Sequence, residues 1–131
     1  MLVAWTFAGL AQAYTWDDFN YADHNYQQAL NRVAELEGQA NWQTLNAELR
    51  QAFDNYDQGV NICNRERNSV SAQAYMDCIE GYQNDYYEES NAAYARHTQA
   101  QSDLADAQIA AADALAALNV ITADLRAQGL L

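Results

Sequence analysis

The sequence contains no proline and only five glycines among its 131 residues. Proline interrupts a helix because it lacks a backbone N–H and its ring clashes with the preceding turn, and glycine weakens a helix through its backbone freedom. The glycines stand at positions 9, 38, 59, 81 and 129. Long helices are therefore permitted along most of the chain.

Lysine is also absent. The six basic residues are all arginine, against eighteen aspartates and glutamates, and the formal net charge is −12. A charge of this sign repels nucleic acids and anionic lipid surfaces. We therefore expect no nucleic-acid partner, and basic proteins or cations are the partners that the charge favours.

The sequence lacks the spacings that catalytic, metal and cofactor sites require. It has no Cys-x-x-Cys and no Glu-x-x-His motif. The stretch DNYDQGVNICNR has a glycine at the spacing of a calcium-binding EF-hand loop, but Tyr56 and Arg65 occupy positions that need oxygen ligands. His24 and His97 are too far apart in sequence to share a metal along a helical hairpin. We therefore predict no metal, no cofactor and no enzymatic activity.

Apolar residues recur instead with the three-and-four spacing of helices that bury one stripe. The first stripe comprises Phe19, Ala22, Tyr26, Ala29, Val33 and Leu36. The second comprises Trp42, Leu45, Leu49, Ala52 or Phe53, Tyr56, Val60 and Cys63. The third comprises Tyr75, Ile79, Tyr82, Tyr86, Ala93, His97, Ala100, Leu104, Ala107, Ala111, Leu115, Leu118, Ile121 or Thr122, and Leu125. The pattern predicts an all-α fold.

Two interruptions separate these stripes. The polar stretch NRERNSVS predicts a turn near residues 64–71, with Ser69 and Ser71 as candidate helix caps, and GQAN at residues 38–41 is a second break. Thr15 with Asp18 resembles a capping box at the start of the first helix. We predict a long, coiled-coil-like antiparallel helical hairpin over residues 14–131, as a single domain with an optional kink near Gly38. The alternative is a three-helix bundle that folds back at GQAN.

A turn centred near residue 70 pairs positions whose numbers add up to about 141. The pairing sets Cys63 against Cys78, and it sets Tyr26 and Leu30 against the alanine-rich part of the third stripe. Small residues let helices approach closely. A disulfide needs Cα atoms within about 7 Å, so we predict a Cys63–Cys78 bond and an oxidising compartment.

The first thirteen residues, MLVAWTFAGLAQA, carry no charge. An apolar run followed by AQA is typical of a secretory signal peptide cleaved after Ala13, although the positively charged start is missing. The run is too short for a transmembrane helix, which needs about 20 apolar residues. We expect residues 1–13 to be a signal-peptide-like or partner-inserting segment. The predicted location is periplasmic or secreted, without a stable membrane span.

Tyrosines and carboxylates in the third helix form the candidate interaction face. Its members are Asp85, Tyr86, Tyr87, Glu88, Glu89 and Tyr94. Tyrosine is enriched in protein–protein contacts, and a hairpin that buries one stripe per helix needs a second copy or a partner for stability. We expect a non-enzymatic structural or assembly protein of a bacterial envelope or extracellular structure, acting as a homo-oligomer or by docking. The alternative is an acidic exported binding module or inhibitor that captures a basic protein.

Overall fold

The computed structural model describes residues 13–131, so the predicted apolar segment 1–13 lies, apart from Ala13, outside the described residues. The described chain forms three helices, α1 (Trp16–Gln39), α2 (Trp42–Glu66) and α3 (Ala72–Ala127). A short 3-10 turn, Arg67–Ser69, joins α2 to α3. Residues 13–131 contain no strand. The all-α prediction is confirmed, and three helices agree with both arrangements considered from the sequence.

Thr15 and Asp18 begin α1 with a reciprocal capping box. The backbone N–H of Asp18 donates to Thr15 Oγ1 at 3.3 Å, and the backbone N–H of Thr15 donates to Asp18 Oδ2 at 2.8 Å. These bonds satisfy N–H groups that have no partner within the helix. The cap predicted from the sequence is therefore confirmed, with aspartate in the place of the usual glutamate.

The break between α1 and α2 falls at Ala40 and Asn41. Asn41 Oδ1 accepts hydrogen bonds from the backbone N–H groups of Gln43 and Thr44, at 2.6 and 3.4 Å. Thr44 Oγ1 donates to the carbonyl oxygen of Gly38 at 2.8 Å. Because these bonds pair the terminal groups of both helices, GQAN is a true helix boundary.

Ser71 and Gly129 stand at the two ends of α3. Ser71 Oγ accepts a hydrogen bond from the backbone N–H of Ala74 at 3.1 Å. Gly129 has a φ of 76°, and the backbone N–H of Leu130 donates to the carbonyl oxygen of Leu125 at 2.9 Å. A left-handed glycine with this bond is the common way to end a helix.

The described chain folds as two compact units. Unit 1 combines the described residues up to Ala34 with Ala105–Leu131, and unit 2 comprises Glu35–Leu104. In unit 1, α1 packs on the C-terminal part of α3. Its core contains Ala22, Ile121 and Leu125, with Phe19 and Leu118 packed against them.

In unit 2, α2 packs antiparallel to the first part of α3. The contacts that define this register are Cys63 with Cys78, Gly59 with Tyr82, Tyr56 with Tyr86, and Trp42 with His97. Each lies within a few positions of the pairing expected about a turn near residue 70. Much of the buried surface of α3 here is alanine, namely Ala93 and Ala100. Small side chains allow the close approach of α2.

Gly59 lies directly against the ring of Tyr82. A Cβ added at Gly59 would overlap that ring, whereas a Cβ added at Gly81 would meet nothing within 4 Å. Gly59 is buried and Tyr82 is half-buried. The absence of a side chain at position 59 therefore lets the ring lie on the backbone of α2.

We expect Gly59→Ala and Gly81→Ala to change stability in opposite directions. Each exchange gains up to about 1 kcal/mol of helix propensity, but the new methyl group at position 59 must displace the Tyr82 ring, at a cost of about 1–3 kcal/mol. Chemical denaturation followed by circular dichroism should show a lower midpoint for Gly59→Ala and a higher one for Gly81→Ala. In a Tyr82→Ala background the cost at position 59 should disappear. If Gly59→Ala still lowered the midpoint in the Tyr82→Ala background, the contact with the Tyr82 ring would not be the cause of the destabilisation.

Candidate functional site

Cys63 and Cys78 form a disulfide that joins α2 to α3 near their connection. Their Cα atoms are 5.9 Å apart. Beside them, Tyr75 Oη donates to Asn64 Oδ1 at 2.6 Å, and the Arg67 guanidinium lies 5.1 Å from the centre of the Tyr75 ring. The predicted cysteine pair is therefore confirmed. The bond is compatible with an oxidising extracellular compartment.

Four aromatic rings of α2 and α3 form a continuous group on unit 2, which we call the aromatic cluster: Phe53, Tyr56, Tyr86 and Tyr87. The ring centres of Tyr56 and Tyr86 are 5.5 Å apart, and those of Tyr86 and Tyr87 are 5.9 Å apart. The ring centre of Phe53 lies 6.4 Å from the ring centres of both Tyr56 and Tyr86. Rings at these distances attract one another in tilted and edge contacts. Tyr56 and Tyr86 are half-buried, so they hold the more exposed Phe53 and Tyr87 in place.

Carboxylates border the aromatic cluster. Asp85 and Glu89 line a shallow cavity of about 200 Å³ together with Tyr56 and Tyr86. Asn55 Nδ2 donates to Glu89 Oε2 at 3.4 Å, which ties this carboxylate to α2. Negative oxygen atoms and aromatic rings therefore share one region of the surface of unit 2.

The structure brings together part of the predicted interaction face. Tyr86 and Tyr87 belong to the aromatic cluster, and Asp85 and Glu89 border it. Glu88 is exposed. Tyr94 is exposed too, and it takes no part in the ring contacts found within residues 13–131. The predicted face is therefore divided between the aromatic cluster with its border and a separate tyrosine.

Phe53 and Tyr56 belong to the aromatic cluster but were not part of the predicted interaction face. A signal for Tyr56 existed, because the antiparallel pairing sets it against Tyr86. For Phe53 the spacing left a choice between Ala52 and Phe53 as the buried residue. The structure buries Ala52, which turns Phe53 towards solvent.

A second cavity in unit 2, of about 290 Å³, lies beside His97. Among its lining residues are Leu45, Glu48, Ala93, Arg96 and Ala100. His97 is only 6% exposed, and neither ring nitrogen has a hydrogen-bond partner among the described residues. The ring of Trp42 lies 4.7 Å from it. Since protein atoms cover both nitrogens, they offer no hydrogen bond to a ligand in this arrangement.

Residues 13–131 contain no cluster of three or more His, Cys, Asp or Glu side chains that could bind a metal ion together. Arg96 and Glu48, which both line the His97 cavity, form an ion pair at 3.1 Å. The guanidinium neutralises that carboxylate, and Asp103 adds a further carboxylate to the lining of the cavity.

Helix α3 is long and apolar enough, by length and composition, to cross a membrane. An 18-residue window in it has a mean hydropathy of 1.4, and 11% of that window is buried. One helix of this kind does not by itself assign a membrane span. The window does show that α3 carries apolar surface outside its buried stripe.

Part of that surface is a row that we call the outward stripe of α3: Ile109, Ala112, Ala116 and Val120. At about 100° of rotation per residue these side chains share one side of the helix, opposite the buried residues of unit 1. Ile109 is 62% exposed and Val120 is 55% exposed. Two large apolar side chains therefore flank two alanines on a solvent-facing side.

Comparisons of the chain with protein-family models, with curated proteins and with solved structures found no match.

Proposed function

We propose that the protein is a non-enzymatic assembly protein whose copies associate through the outward stripe of α3. The observation that supports this is the exposure of Ile109 and Val120 on the side of α3 away from the core of unit 1. Ala112 and Ala116 lie between them and are exposed as well. Small residues between large ones allow a second helix to approach closely.

A second copy fits this stripe by symmetry. In an antiparallel arrangement about a two-fold axis, Ile109 of one copy lies near Val120 of the other, and each contact occurs twice. Because Ile109 and Val120 are 62% and 55% exposed, burial of the four such side chains in a dimer contributes about 4–7 kcal/mol in total. The gain is of the same order as the cost of association, about 4–15 kcal/mol. We therefore expect oligomers that dissociate on dilution.

The proposed location is an oxidising compartment outside the cytoplasm. The disulfide between Cys63 and Cys78 supports this, because such bonds persist where thiols are not kept reduced. A bacterial envelope or an extracellular structure, with the protein periplasmic or secreted, would meet that condition. Intact mass of the protein purified from its source would report both the bond and any cleavage after Ala13.

Analytical ultracentrifugation across the micromolar range tests the association. We expect the mass of the wild type to rise with concentration, and Ile109→Gln/Val120→Gln to remain a monomer, because glutamine keeps the helix but removes the apolar contacts. A matched control is Ala110→Gln/Asn119→Gln, which adds glutamines at exposed positions beside the stripe. The control should associate like the wild type.

Two outcomes would contradict self-association. One is a helical wild type that is monomeric at every concentration. The other is a monomeric wild type that binds lipid vesicles in a flotation assay while Ile109→Gln/Val120→Gln does not bind them. That result would make the stripe a lipid-binding surface.

A second candidate function is the capture of a basic protein by an acidic binding module or inhibitor. The observation that favours it is the aromatic cluster with its border of carboxylates on unit 2. Aromatic rings and negative charge together suit a positively charged partner.

A further inference from the structure

We infer that the aromatic cluster is a docking surface for the arginine side chains of a basic protein segment. The inference rests on the second candidate function and names its site and its preferred residue. Three observations carry it: the local charge, the exposure of the rings, and an arginine–tyrosine contact elsewhere in the same unit.

The local charge around the cluster is negative, although α2 also carries Arg50, one turn before Phe53, and Arg65 at its end. Residues 51–64 and 68–95 contain no lysine, arginine or histidine. Their carboxylates are Asp54, Asp57, Asp77, Glu80, Asp85, Glu88 and Glu89. Beyond these stretches, Arg96 already pairs with Glu48 at 3.1 Å. The carboxylates of these stretches outnumber the arginines beside them, so an incoming cation meets an excess of negative charge, which favours a basic partner.

The exposed rings decide which cation fits best. Phe53 and Tyr87 are each more than half exposed, and both contact the half-buried Tyr86. A guanidinium is planar, stacks on aromatic faces and donates two parallel hydrogen bonds to a carboxylate. The ammonium of lysine is a compact charge without these options. Rings beside Asp85 and Glu89 therefore favour arginine over lysine.

The chain itself contains this kind of contact. The Arg67 guanidinium lies 5.1 Å from the centre of the Tyr75 ring, on unit 2. This distance is within the range of cation–π attraction. An arginine from another molecule can make the same cation–π contact with the rings of the aromatic cluster. Because these rings belong to two helices, they can contact several side chains of one segment.

Isothermal titration calorimetry with an arginine peptide and a lysine peptide of equal length, at low and moderate salt, tests the inference. We expect the wild type to bind the arginine peptide about fivefold more tightly. Phe53→Gln/Tyr87→Gln should lose most of this preference, because the stacking surface is removed and only the hydrogen bonds to the carboxylates still distinguish arginine from lysine. Tyr94→Gln is the matched control: it removes an exposed tyrosine of α3 outside the ring contacts and should keep the preference. Circular dichroism checks that each variant is folded.

The carboxylates are tested separately. Asp85→Asn/Glu88→Gln/Glu89→Gln should weaken the binding of both peptides and reduce the salt dependence of binding. Equal affinity of the wild type for the two peptides, or a preference that is undiminished in Phe53→Gln/Tyr87→Gln, would overturn the site while leaving capture of a basic partner standing. No binding of either peptide at low salt would overturn both.

Discussion

Reduction of the Cys63–Cys78 disulfide is expected to lower the free energy of unfolding by about 3 kcal/mol. The bond closes a loop between residues 15 positions apart, and in the chain-entropy model it restricts the unfolded state. The helices that it joins have little else to hold them, since the buried residues of α2 are Leu45, Ala52, Gly59 and Cys63. A pair of helices with so small a core is marginal on its own. The loss is therefore a large part of the stability of unit 2.

The measurement is denaturant unfolding of the same protein in its oxidised and reduced forms. Cys63→Ala/Cys78→Ala should unfold near the midpoint of the reduced form and should not respond to reductant. Native-state hydrogen exchange should show the earliest loss of protection around the connection of α2 to α3. Equal midpoints of the oxidised and reduced wild type would show that the bond does not stabilise the folded state.

The cysteine pair was predictable because it depends on local signals. Asn41 and Ser71 cap helices through their own side chains, and Thr15 does so with Asp18. A turn placed between helices of known ends then fixes which positions face each other. Helix boundaries, register and disulfide follow from short-range chemistry, so the sequence contained them.

The exposed residues were harder to predict because burial depends on which of two neighbouring positions faces the other helix. The spacing allows Ala52 or Phe53 in α2, and it includes Leu115 in the third stripe, which belongs to α3. The structure instead continues the alternation of three and four from Ala107 and Ala111 to Ala114, and Leu115 is 38% exposed. Leu115 was therefore a wrong choice for the buried stripe.

This difference matters for function. The proposed surfaces consist of apolar residues that the core does not use, such as Phe53 in the aromatic cluster and Ile109 in the outward stripe. A sequence pattern ranks such residues as core because of their type alone. Only the packing of the helices shows that they remain available, which is why the aromatic cluster and the outward stripe were not predicted as such.

Leu125→Ala is expected to destabilise unit 1 by about 2–5 kcal/mol. Leu125 is 0% exposed and packs in one core with Ala22 and Ile121. The methyl group of Ala22 is too short to fill the space that truncation leaves. The substitution therefore loses both the burial of the side chain and the contacts around the resulting cavity.

Leu115→Ala is the matched control, because it makes the same exchange in the same helix at an exposed position. Leu115 is 38% exposed, so its truncation removes less buried surface and leaves no enclosed cavity, and we expect a cost below about 2 kcal/mol. Denaturant midpoints of the two variants, at one low protein concentration, separate the contribution of burial from that of residue type. Hydrogen exchange should show lost protection in α1 and the end of α3 for Leu125→Ala alone. Equal costs for the two variants would contradict the packing of unit 1, because Leu115 would then be as well covered as Leu125.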